Sequence, residues 1–354
     1  MNDAIVAGKK PHFVRFEKKG DAVLWCACGR SARQPFCDGS HKGTNFAPLR
    51  LTAHTDGEEA LLCLCKKTKT PPYCDGSHNS LSAEYGVDAA EEHSIDWTKT
   101  ELATRSDGRL GPALLDGGCF VLTPDRSVAT QMDGWRLLPT INRSTGADKL
   151  SQWLLSSSAG AAAAIDFGAA EVILFVANGD PTIEISGARF KTAQYSAVAV
   201  RPGERFSIIS GGDDAMLVAT VCPPEPPTER RRPTEFHSEF PHRVIGLDTS
   251  ARQSMGDRFF QVLTSASCGA DQITQFIGMI PQSRSAPHHH LYEETLYVLS
   301  GEGFMWTQTR RAPVASGDVI YLPRKQLHSL ECVSPEGMML AGSFFPAGSP
   351  AINY

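Results

Sequence analysis

The chain has 354 residues, 41% hydrophobic and 21% charged, with 31 glycines, 23 prolines and 10 cysteines; at roughly 100–200 residues per domain, two or three domains are expected. A net charge of −5 and a pI near 6.1 exclude the basic surface that a nucleic-acid or anionic-membrane binder needs. The N-terminal segment has no apolar core of signal-peptide length, and the longest apolar stretch, 159–179, is broken by Asp166 and Glu171. No membrane span is therefore expected, and the cytoplasm is the expected location.

Six of the ten cysteines fall between Cys26 and Cys74. The others, Cys119, Cys222, Cys268 and Cys332, stand singly and read as small buried apolar residues. Without an export signal, clustered cysteines point to metal rather than to disulfides. The first cluster places Cys26, Cys28, Cys37 and His41 around a turn containing Ser31 and Pro35. The second repeats the spacing 37 residues later with Cys63, Cys65, Cys74 and His78 around Thr68, Pro71 and Pro72. Two thiolates one residue apart in extended chain project to neighbouring sites on one metal centre. The turn returns the third cysteine, and the Asp-Gly-Ser segment opens a short helix that sets the histidine beside it. Three thiolates and one imidazole suit either zinc or a [2Fe–2S] cluster.

Both copies carry the literal string Cys-Asp-Gly-Ser-His (37–41 and 74–78), and here the chain resembles the CDGSH (NEET-type) iron–sulfur family over about residues 12–80. The resemblance implies two [2Fe–2S] clusters. Cys26 and Cys28 would hold one iron of the first and Cys37 and His41 the other; Cys63 and Cys65, then Cys74 and His78, would do the same for the second. A histidine ligand raises the reduction potential and couples electron uptake to protonation.

Residues 81–116 are polar and mixed and read as a connector; His93 within it reads as a surface histidine. From Gly117 short β-rich runs, such as 171–177, 196–200 and 216–221, alternate with Gly, Asn-Gly-Asp and Pro-Gly turns. The proline-rich 223–227 and the arginine run 230–232 read as a solvated linker before a second β-rich region. This rhythm predicts β-sandwiches or barrels.

The second β region contains His288, His289 and His290, then Glu293 and Glu294, and after Gly317 and Pro323 it reaches His328. On one regular strand His288, His290 and Glu294 share a face, with His289 and Glu293 opposite. His328 on a neighbouring strand completes a set of three histidines and one carboxylate, which suits Fe(II), Mn, Ni or Zn and leaves positions open for oxygen or substrate. These segments resemble the two cupin motifs, with Gly301 closing the first and Lys325 replacing the usual glycine of the second. Carried back 122 residues, the ligand positions become Asp166, Gly168, Val172 and Phe206, too poor a set to hold a metal. The expected fold is mainly β: a tandem CDGSH domain (1–80), the connector (81–116), a degenerate metal-free cupin (117–226) and a metal-binding cupin (227–354), the last two being jelly-roll barrels.

Two one-electron carriers beside an open mononuclear site match the electron demand of an oxygenase. Inserting one oxygen atom, or desaturating a substrate, draws two electrons beyond those the substrate supplies. The leading expectation is a mononuclear Fe(II) cupin oxygenase acting on a small molecule and O2, with the clusters fed by an external reductase or ferredoxin-like donor. Phe304 and Trp306 are candidates for lining its pocket and equally for core packing; no nucleic acid or membrane partner is expected, and a homodimer is compatible with the fold. Two further readings stand beside it. One is a self-sufficient cupin dioxygenase or isomerase whose clusters sense redox state or stay structural; the other is a non-enzymatic iron–sulfur sensor or cluster-transfer protein.

Overall fold

The computed structural model describes residues 3–53, 56–74, 77–81, 95–105, 108, 110–157, 160–211, 214–228, 234–255 and 257–351. Asp75 and Gly76 of the second motif, His93 and the arginine run 230–232 lie outside the described residues. The chain is mainly β and divides into two compact units, Met1–Glu92 with Pro346–Tyr354, and His93–Phe345.

In the first unit four strands flank the cysteine motifs: β1 (His12–Arg15), β2 (Ala22–Trp25), β3 (Leu49–Thr52) and β4 (Glu59–Leu62). At the repeat distance of 37 residues β1 corresponds to β3 and β2 to β4. The pairing crosses between repeats, β1 with β4 and β2 with β3, both antiparallel. Val14, Phe16, Trp25, Leu51, Ala60 and Leu62 make a small core that also takes in Cys63 and Cys65. A core of this size gains much from a metal staple.

Among the described residues, the second unit contains two pairs of sheets. In the first pair a seven-stranded sheet centred on Glu171–Asn178 and Ala215–Cys222 faces a four-stranded sheet of Ala162–Ile165, Phe206–Ile209, Thr182–Ile185 and Ala188–Lys191. In the second pair an eight-stranded sheet centred on Met338–Phe345 and Glu293–Ser300 faces a four-stranded sheet of Ser329–Cys332, Glu302–Trp306, Arg310–Ala315 and Glu101–Leu102. The run Glu171–Asn178 is buried almost throughout because both of its faces are covered. Val172, Leu174 and Val176 enter the core of the first barrel. Ile173, Phe175 and Ala177 join a core between the two large sheets that also contains Ile277, Tyr297 and Tyr321.

Strand exchange crosses the boundaries expected near 116 and 226. Gly111–Leu114 and Phe120–Thr123 extend the eight-stranded sheet through Val319–Leu322, and Glu101–Leu102 runs parallel to Arg310–Ala315. Conversely, Val244–Ile245 pairs with Ala197–Val200 of the first barrel. Part of the stretch read as a connector is thus structural edge of the second barrel.

Candidate functional site

In the N-terminal unit strand ends deliver the candidate ligands. Trp25 closes β2 just before Cys26, and Leu62 closes β4 just before Cys63; the returning turns bridge back at Phe36 and Tyr73. The Cys26 and Cys63 amides donate to the carbonyls of Pro35 and Pro72, and those of Cys37 and Cys74 donate to Leu24 and Leu61. The Ser31 hydroxyl donates to the Phe36 carbonyl at 2.6 Å and the Thr68 hydroxyl to the Tyr73 carbonyl at 2.7 Å. Those contacts explain why a hydroxyl residue recurs in both turns.

The turns bring Cys26 Sγ within 3.6 Å of Cys28 Sγ, and Cys37 Sγ within 3.1 Å of His41 Nδ1. The second motif matches, with 3.4 Å between Cys63 and Cys65 and 3.3 Å from Cys74 to His78 Nδ1. Backbone amides of Arg30, Gly39 and Lys66 point at the sulfurs of Cys28, Cys37 and Cys63. The hydrogen bond from Cys65 pulls the Cys63 thiol down to about 6, and Cys65 is pushed up in exchange. The helix expected after Asp-Gly-Ser differs between copies: residues 40–43 form a turn, whereas His78 lies in a 3-10 turn, Ser77–Leu81.

In the second barrel His288 and His328 exchange both backbone hydrogen bonds, at 3.0 and 2.9 Å, which sets their rings 4.4 Å apart. The regular strand expected from 288 to 294 does not form; the strand begins at Glu293. Tyr292 turns inward and stacks between His290, at 4.4 Å, and Phe344, at 4.1 Å, while the Lys325 amide donates to the His290 carbonyl. A bend, not strand alternation, therefore aims His290. One nitrogen from each of His288, His290 and His328 lies within 4.8 Å of the others, the one such group of three found among the described residues. Glu294 Oε2 sits 3.5 Å from His290 Nε2.

His288 and His328 hold Nδ1 2.8 Å from the carbonyls of Ala286 and Gln326. Each Nδ1–H donates there, which leaves the Nε2 lone pair free for a metal. Burial drives His288 down to about 4 and His328 well below the usual histidine range; the nearby Arg258 cation adds to both. Burial alone holds the Glu294 carboxyl up at about 8.

Sequence reasoning missed Tyr292, Phe344 and Arg258. An aromatic two residues after His290 was a legible hint, but nothing in sequence distinguishes Arg258 from other arginines. Phe304 and Trp306 do not join the histidines. They pack with Ile95, Trp97 and Leu327, and Arg284 lies over the Trp97 and Trp306 rings. Strand alternation sends both to the face opposite Met305. In the first barrel Asp166 is spent on the Gly168 amide, at 2.6 Å, Val172 is core, and Phe206 stacks on Phe167. Apolar side chains fill that interior.

Comparison with known proteins divides along the same lines. Residues 4–42 match the family model described as iron-binding zinc finger CDGSH type, and residues 275–341 match the cupin domain model. The mitochondrial CDGSH iron-sulfur domain-containing protein 3 of Mus musculus is 48% identical over 52 residues, 14% of this chain and 36% of that protein. Its Homo sapiens counterpart is 47% identical over 52 residues, 14% of this chain and 40% of that protein. The chain thus spans well under half the length of these curated relatives. Among solved structures, protein Ylba of E. coli aligns with a TM-score of 0.52 at 17% identity, covering 66% of this chain and 93% of that one. A Bacillus subtilis oxalate decarboxylase mutant aligns with a TM-score of 0.53 at 13% identity, covering 65% and 77%. Procruciferin, an 11S globulin of Brassica napus, aligns at 0.51 and 11% identity, covering 64% and 84%. At these identities the likeness is one of fold. The chain joins a CDGSH-type module at its N-terminus to a cupin domain within a mainly β architecture.

Proposed function

We propose that the chain is a bicupin oxygenase for a small molecule, with a mononuclear Fe(II) held by His288, His290, Glu294 and His328 in the second barrel. In the same proposal the tandem motifs hold two [2Fe–2S] clusters, one on Cys26, Cys28, Cys37 and His41 and one on Cys63, Cys65, Cys74 and His78. An outside reductase or ferredoxin-like protein feeds them, and the clustered thiols suit the reducing cytoplasm. When bound, the iron supplies oxygen activation and the clusters supply one electron each.

The observation that carries this reading is the convergence of three imidazoles, one nitrogen of each within 4.8 Å of the others. Two have their tautomers fixed by backbone carbonyls, and a buried carboxyl stands beside the third. Such a donor set fits a divalent first-row metal. Each residue has a definable task. Ala286 and Gln326 hold the ring protons of His288 and His328 on Nδ1; Tyr292 and Phe344 wall His290 against water. Arg258, largely buried and acting on both His288 and His328, favours an anionic substrate.

Iron and acid-labile sulfide analysis of anaerobically purified protein tests the reading directly. The expected content is about five iron and four sulfide per chain, with oxygen uptake that depends on both reductant and substrate. Zinc without sulfide, or oxygen uptake indifferent to reductant, would overturn it. The N-terminal unit has its own core and its own ligands, which favours one second reading, a cupin that turns over unaided while the clusters sense redox state. Full activity in a Cys37→Ser, Cys74→Ser double variant would select that reading.

A further inference from the structure

The two cysteine motifs differ at the residue after Cys-x-Cys. The first has Gly29, with φ at +75°, and the second has Lys66, with φ at +62°. A left-handed backbone is costly for any residue with a Cβ, and position 66 carries a lysine that is also buried, at 9% exposure. Desolvation and backbone strain thus fall on one cation beside metal-ligating cysteines, a coincidence that calls for a functional explanation.

Its contacts show what it joins. The Lys66 ammonium donates to the Cys63 carbonyl at 2.9 Å and lies 4.5 Å from the centre of the Trp25 ring. Trp25, which immediately precedes Cys26, donates its indole N–H to the same Cys63 carbonyl at 2.9 Å. The Lys66 amide also donates to Cys63 Sγ at 3.2 Å. The first motif therefore meets the second on one carbonyl, with the ammonium at that junction. Lys67 and Lys69 nearby are exposed, so solvent screens their charge in a way it cannot screen Lys66.

We propose that Lys66 is a shared cation for both cluster sites, positioned by the Cys63 carbonyl and the Trp25 ring, and that it raises the reduction potentials of both clusters together. Each reduction adds one electron, and so one negative charge, to a cluster; an unscreened ammonium between the sites stabilises the added charge at either. This inference rests on the two-cluster reading above.

The test is an anaerobic redox titration of the full chain with dithionite and mediators, followed by visible absorbance and EPR, in wild type, Lys66→Met, Lys66→Gln and Lys66→Arg. Sulfide analysis of wild type comes first and judges the two-cluster reading separately; about two sulfides per chain would remove that reading and this inference with it. With about four sulfides, the expected result is that both one-electron couples become harder to reduce in the neutral variants. The oxidised-to-reduced ratio at fixed poise should rise about tenfold, which is about 59 mV for one electron, and arginine should restore both couples. A shift confined to one couple, or no shift, overturns the proposal. Loss of clusters from both neutral variants also overturns it, assigning Lys66 a structural role instead.

Discussion

Glu171 and Glu293 make the same contact in opposite directions. The Glu171 carboxylate, on the first barrel, accepts the backbone amides of Asp271, Gln272 and Ile273 from the second, at 2.8–3.1 Å. Glu293, 122 residues later, accepts those of Asp148, Lys149 and Leu150 from the first, at 3.0–3.3 Å. Both side chains are buried. The pair locks the two barrels to each other, and it leaves Glu294, the next residue, facing the histidines.

Replacing Glu171 with alanine should orphan three backbone donors at once, those of Asp271 and Gln272 part-buried and that of Ile273 buried. With about 1–3 kcal/mol for each unsatisfied group and some relaxation of the loop, a loss of about 3 kcal/mol is expected. Denaturant unfolding measures it, and a loss below about 1 kcal/mol would show the clamp to be incidental.

The same carboxyl gives a signed pH dependence. Burial raises Glu171 to about 7 from its ordinary 4.5. Below pH 4.5 folded and unfolded chains both keep the proton and the associated stability is fully present; as pH rises towards 7 the unfolded chain ionises first and that stability is lost. The change is on the order of 3 kcal/mol. Glu171→Gln does not titrate, so the unfolding free energy of wild type minus that of Glu171→Gln should fall between pH 4.5 and 7. A difference that stays flat or climbs contradicts the assignment.

His290→Ala should empty the cupin site selectively. Metal analysis should show about one metal ion fewer per chain, with sulfide content and the visible absorbance of the N-terminal unit unchanged. Parallel loss of sulfide would mean that the histidine supports the fold of the whole chain rather than one site.

Phe206 stands where the first barrel would need a ligand, and it is 1% exposed. Phe206→Ala should cost about 3–5 kcal/mol as a buried cavity and leave the metal content as it was. A change in metal content would assign that barrel more than a packing role.

The candidate ligands were legible because metal chemistry calls for particular residue types at particular spacings within short segments. Cys26 to His41 and Cys63 to His78 are local, and His288, His290, Glu294 and His328 lie in two short motifs. Strand exchange was not legible, since a run such as Phe120–Thr123 carries no mark of which distant edge it will join. The bend at Tyr292 was hidden because an aromatic between ligands satisfies strand propensity as well as it satisfies an inward stack. Glu171 was visible only as a charge interrupting an apolar stretch. Its match with Glu293, at the repeat distance and at the head of an equally apolar run, was the signal that could have identified the clamp.

Crossed strand pairing also bears on how the chain is made. Phe120–Thr123 leaves the ribosome about 200 residues before its partner Val319–Leu322 exists, so its edge must wait, uncovered, while the first barrel is completed. Sequence separation of this kind slows folding and exposes unpaired edges. The second barrel can close only late in synthesis, and a fragment cut between the barrels would lack strands on either side of the cut. Expression of either barrel alone should therefore yield aggregation-prone material, whereas the intact chain offers each waiting edge its own partner.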